Sequence, residues 1–285
     1  MELRKRIDEL VARYSLEPKL KDVYVEGEID KYILEWFLTT INRQDINIYT
    51  IDTVEVSEDV LQLYGLGIGS NRSRVIALSA KLAIILPPEI HILCLADRDH
   101  EDYIPTNVNN SFLVFTDYNS IELYLLKPST IRKLFYLVLG GFPLTVEQIF
   151  KQVLSILEEV YLFQLTNQAL GWNMQWIDFT RFIKIGSKIS FDLKIFEKAY
   201  LIKNSRFPQL VFFNEKKEEL RSLLKDEPGL RLGGHDLMEL LYFLVKKLKK
   251  KRKFGDVATF AGSFMGCLEA QDIRKESLFK RVLSL

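Results

Sequence analysis

The chain has 285 residues, 48% hydrophobic and 27% charged, enough for one large domain or two moderate ones with a sizeable core. A formal net charge of +1 excludes a nucleic-acid polycation, so any basic surface is local. Cys94 and Cys267 stand far apart in apolar settings, which excludes a cysteine zinc ribbon, gives no sign of a disulfide framework and makes a reducing cytoplasm the expected compartment.

The opening stretch MELRKRIDELVARYSL has the pattern of a charged amphipathic helix rather than a signal peptide. Asp22 to Val25 reads as a short strand, and Ile29 to Ile41 as a helix with Ile33, Leu34, Phe37 and Ile41 on its apolar face. A second strand spans Ile46 to Ile51. The loop YGLGIGSNRS, Tyr64 to Ser73, is rich in glycine and leads into a helix over RVIALSAKLAII. It lacks the lysine of a phosphate-binding P-loop and reads as a flexible turn capping that helix. After Pro87-Pro88, the continuous apolar run IHILCLA, ending at Asp97, suits the centre of a parallel sheet, and FLVFT, Phe112 to Thr116, is the next strand. Strands alternating with helices predict an α/β fold, a mostly parallel sheet flanked by helices. Beyond Pro128 the chain turns mainly helical, notably over Thr145 to Gln168 and Asp236 to Lys253, while Gln175 to Ile202 fits short strands or irregular helix. The expected division is therefore residues 1–128 and residues 129–285.

Two acidic stretches lie where strands end. Glu26 and Asp30 follow the first strand in VEGEID, and Asp97, Asp99 and Asp102 follow the central one in ADRDHED. If that strand runs on, period-two alternation puts Asp97 and Asp99 on one face. In open parallel sheets the functional crevice lies beyond the carboxyl ends of strands, so the two groups converge if their strands are neighbours. Clustered carboxylates do not all stay ionised without a counter-charge. Hard divalent cations relieve that conflict, which predicts a Mg²⁺ or Mn²⁺ site for phosphate chemistry.

These residues resemble the TOPRIM domain shared by topoisomerases, primases and OLD-type nucleases: a glutamate and glycine in a strand-to-helix turn, then a DxDxxD. In VYVEGEIDKYIL, ILCLADRDHED, TDYNSIELYLL and GGHDLMELL the chain is similar to the DUF4435 branch, in particular to the TOPRIM effectors of PARIS-type phage defence. The resemblance implies a TOPRIM metal-binding domain over residues 1–128 and a helical part supplying substrate, dimer or partner contacts. It implies a metal-dependent nuclease directed at transfer RNA, held by a separate ABC-type ATPase, freed when infection is sensed and active as a homodimer. Glu26 matches the family's glutamate, a metal ligand or general acid/base; Asp97 and Asp99 match the metal-binding pair. Asp30 matches an additional acidic ligand, Asp102 the third acid of the motif, and Glu122 is a candidate to complete the shell.

His235, in GGHD, is a candidate to orient a phosphate or shuttle a proton, or else belongs to a structural helix entry with Asp236 as N-cap. The run VKKLKKKRK makes Lys246, Lys247, Lys249, Lys250, Lys251, Arg252 and Lys253 a candidate phosphate-tracking patch, or simply a cationic helix end. His91 reads as a core residue, and Trp172 and Trp176 as core aromatics before base-stacking ones. Two alternatives stay open. One is a non-catalytic TOPRIM-like adaptor for nucleic acid or an ATPase. The other is a DxD-type phosphatase with Asp97 as nucleophile, which leaves Glu26 without a role.

Overall fold

A computed structural model describes residues 4–249 and 254–285. The chain forms two compact units, one of Met1–Ile121 with Glu269–Leu285, the other of Glu122–Leu268. This differs from a single cut at residue 128, because the last helix packs into the first unit.

The first unit includes α1 (Ile7–Leu16), β1 (Asp22–Val25), α2 (Glu28–Thr40) and β2 (Asn47–Thr50). It continues with α3 (Asn71–Ile85), β3 (Ile92–Ala96) and β4 (Leu113–Phe115). The four strands form one parallel sheet in the order β2-β1-β3-β4. Every residue of β1 and β3 is buried, as expected where helices cover both faces of a parallel sheet. On one face Tyr24 and Cys94 pack with Leu10 and Tyr14 of α1 and with Val75, Ile76 and Leu78 of α3. Tyr14 donates to Asp22 at 2.7 Å, and Asn47 satisfies the other oxygen of this buried carboxylate at 2.9 Å. His91 precedes β3 and is exposed, so it is not a core residue; β3 starts one residue later.

The helix Ser277–Leu283 completes this unit. Phe279 sets its ring against Phe37 of α2, edge to face at 4.8 Å. Asp117, just after β4, accepts the N–H groups of Ser277 (3.1 Å) and Leu278 (3.0 Å), so a residue far back in the chain caps this helix.

The second unit includes α4 (Leu154–Ala169), an antiparallel hairpin of β5 (Ile183–Ile185) and β6 (Ile189–Phe191), and α5 (Leu193–Lys203). It continues with α6 (Leu210–Leu223), α7 (Gly234–Leu248) and α8 (Val257–Met265). The stretch left open between Gln175 and Ile202 thus holds both strands and a regular helix. Phe163 is the hub of an aromatic core, with Phe196, Tyr200 and Phe213 all within 5.9 Å of its ring centroid. The indoles join it: Trp172 lies against Phe213, and Trp176 against Phe196 and Tyr200. Among the described residues, no helix is long and apolar enough to cross a membrane.

Candidate metal centre

β1 and β3 are neighbours, so Glu26 and Asp97, each one residue past its strand, meet at the same sheet edge. Glu26 Oε1 accepts the main-chain N–H of Asp97 at 2.7 Å. Asp30 is buried in the first turn of α2, where its Oδ2 accepts the N–H of Gly27 at 2.9 Å. That bond satisfies one of the helix's unpaired donors, so Asp30 anchors the turn whatever else it does. Glu28, between them, faces water.

The alternation argument for Asp97 and Asp99 does not apply, because β3 stops at Ala96 and the acids follow in a loop. Asp99 has φ +48°, an uncommon conformation for a residue with a side chain, and its N–H is held by the carbonyl of Asn119 at 2.8 Å. A left-handed residue, not strand pleat, brings Asp99 towards Glu26. Burial raises the Glu26 carboxyl to about 8, opposed by the Asp97 N–H, and the negative charges of Asp99 and Asp30 raise it further. Glu26, Asp30 and Asp99 therefore share one electrostatic environment, with Asp97 bonded into it through its backbone.

Arg72, which the sequence did not single out, supplies the counter-charge. Its Nε lies 3.4 Å from Asp99 and donates to the Asp97 carbonyl at 2.8 Å; its Nη2 pairs with Glu101 at 2.6 Å. Glu101 also accepts both the N–H and hydroxyl of Thr106, at 2.6 and 2.9 Å, which ties down the loop after β3. The adjacent Asn71 donates to the Glu26 carbonyl at 2.8 Å. A clue was present in the sequence. The first turn of α3 carries Arg72 and Arg74 and no acid, which opposes the helix dipole unless carboxylates lie opposite. Arg74 finds Asp52 at 2.7 Å, and Arg72 finds the acidic loop. The glycine-rich turn before them is, as read, the entry to a helix, with Ser70 as N-cap.

Asp102 lies in the same loop, its Oδ1 3.2 Å from Arg98, whose backbone N–H and Nε both bond Thr116. Glu122 and His235 belong to the second unit, where the Glu122 charge helps to raise His235. His235 is exposed and sits 3.1 Å from Glu239, the main reason its pKa lies above the ordinary value. Asp236 is not the N-cap of α7; Gly233 is, and Asp236 is buried in the first turn, bonded by Gln164 at 3.0 Å. Burial raises its carboxyl to about 6. Lys246 and Lys247 are exposed near the end of α7, and Lys249 is its C-cap. Lys250, Lys251, Arg252 and Lys253 lie outside the described residues.

The donor set at the sheet edge is all hard oxygen, the chemistry Mg²⁺ or Mn²⁺ takes. The carboxylates are not drawn tightly together: among the described residues, no three His, Cys, Asp or Glu side chains are gathered as a metal cage. Mg²⁺ does not require one, since it characteristically uses one or two carboxylates with water and substrate phosphates. The chain matches no protein-family model, and a comparison with curated proteins finds no significant match.

Proposed function

We propose that this chain is a metal-dependent TOPRIM-type nuclease of the DUF4435 branch, hydrolysing phosphodiester bonds with Mg²⁺ or Mn²⁺. The observation that carries the reading is the meeting of Glu26 and Asp97 on adjacent strand ends, with Asp99 and Asp30 close enough to raise the Glu26 carboxyl. A raised carboxyl beside further acids is what a divalent cation would relieve.

In this reading Glu26, Asp97 and Asp99 hold the ion, with Asp30 and Asp102 behind them. The bound ion supplies charge stabilisation at the scissile phosphate. Burial raises the proton affinity of Glu26 in the metal-free chain, and binding the ion would displace that proton and leave the carboxylate as a ligand. Arg72 fixes the loop that carries Asp97 and Asp99 through its bonds to Asp97 and Glu101. By resemblance, the substrate is RNA, specifically transfer RNA, the active form is a homodimer, and a separate ABC-type ATPase restrains it in the cytoplasm.

The test is incubation with cellular RNA and DNA in Mg²⁺, followed by sequencing of the new ends. Glu26→Ala and Asp97→Ala should each lower cleavage by about 10²-fold or more. If both variants cut like the parent, the assignment is wrong. A second reading, a non-catalytic adaptor, draws on Arg72, which already places a positive charge 3.4 Å from Asp99. Calorimetric titration with Mn²⁺ separates them: binding that Glu26→Ala abolishes supports the nuclease, and none supports the adaptor.

A further inference from the structure

The second unit contains a cavity of about 610 Å³ that the chemistry above does not use. Trp176, Tyr242, Phe243, Lys246 and Lys247 form much of its lining, with Asp178 and Glu239 as its acids. Both acids already have basic neighbours: Asp178 lies 3.1 Å from Arg181, and Glu239 lies 3.1 Å from His235, whose protonated form it favours. The two lysines differ. Lys246 lies over the ring of Tyr242 at 5.1 Å and Lys247 over Phe243 at 5.6 Å, and among the described residues neither pairs with a carboxylate. The cavity thus offers positive charge that is not neutralised beside flat aromatic surface. Trp176 makes that surface rigid, being wedged against Phe196 and Tyr200 at 5.6 and 5.2 Å. Tyr242 is fixed by its hydroxyl, which donates to the Gly255 carbonyl at 2.9 Å.

A planar ring joined to a phosphate matches both halves of this lining. We propose that the cavity binds one nucleotide unit of a single-stranded nucleic acid, its base against the Trp176 and Phe243 wall and its phosphate at Lys246 and Lys247. Base stacking on aromatic side chains with lysine on the backbone is the general mode for single strands. A free nucleotide presents the same chemistry. The strand is favoured because Lys249, the C-cap, follows Lys246 and Lys247 at the same helix end, charge that a single phosphate uses less well than a run of phosphates. The inference rests on the nuclease reading only for the source of the strand.

The experiment is fluorescence anisotropy of a labelled single-stranded RNA with the whole protein in EDTA, so that absence of cleavage does not affect it. Lys246→Glu with Lys247→Glu, both exposed, should weaken binding about ten-fold or more. The same pair should flatten the salt dependence by about 1.4 in log K per log salt, two contacts at about 0.7 each. Phe243→Leu keeps the apolar bulk and removes the ring, and should weaken binding about five-fold or more. Excess AMP should not displace the strand. The proposal is overturned if the parent binds no RNA or if the charge-reversed pair binds as tightly as the parent. It is likewise overturned if Phe243→Leu has no effect, or if AMP displaces the strand mole for mole, which would assign the cavity to a free nucleotide. The nuclease reading stands or falls separately on Glu26→Ala.

Discussion

Glu26 is a carboxylate whose ionisation opposes folding. Its ordinary pKa of 4.5 rises to about 8 in the folded chain, so the native state holds the proton more tightly than the unfolded one. That contribution is complete below about pH 4.5 and is lost as pH rises through about 8. Glu26→Gln keeps an oxygen to accept the Asp97 N–H and removes the charge. Its unfolding free energy, measured in denaturant, should therefore exceed the parent's at alkaline pH by a margin on the order of 1 kcal/mol or more, and converge with it in acid. A margin that stays the same across the titration would show that Glu26 does not carry the shift. Arg72 presents the opposite case. Removing it leaves Glu101, largely buried, without its counter-charge and frees the Asp97 carbonyl. Arg72→Ala should cost about 3 kcal/mol in denaturant unfolding, and Arg72→Lys should recover only part, because an ammonium cannot span both partners.

At the scale of elements, the entry to α7 is built around a glycine. A methyl group on Gly233 would collide with the buried carboxylate of Asp236, which is fixed by Gln164. Gly233→Ala should destabilise by about 1–3 kcal/mol, measured by thermal melting. Asp236→Asn preserves an acceptor for Gln164 and should flatten the decline in stability that the parent shows between about pH 3.8 and pH 6. Both effects give Gly233 and Asp236 structural roles, which bears on how much of the chain was legible. The strand DVYV was readable to the residue because it is short, apolar and bounded by polar turns. The neighbouring acids were readable because they sit at a strand end. The conformation of Asp99 was not: φ +48° depends on the Asn119 carbonyl, a tertiary partner that no local pattern encodes. Arg72 was half-legible, as a cation in the wrong turn of a helix. The Gln175 to Ile202 interval stayed ambiguous because three-residue strands are too short to show a period.

For the whole molecule, the decisive feature is that the second unit is inserted into the first. The sheet of residues 22–115 receives its last helix only from Ser277–Leu283, tied down by Asp117 and by Phe279 on Phe37. Asp117→Ala should lower stability by about 1 kcal/mol through two helix-end N–H groups left unpaired. A chain ending before Glu269 should lose far more, and a fluorescent dye for exposed apolar surface should detect the bare α2 face. A composition shift near Pro128 gave no hint of this return, since a seven-residue helix near the end looks the same whichever unit it joins. The consequence lies in biosynthesis. A ribosome makes residues 269–285 only after the entire inserted unit has been synthesised, so the acidic sheet edge has no complete scaffold until then. A translation product interrupted before Ser277 would therefore hold the acidic residues of the sheet edge without the helix that covers α2.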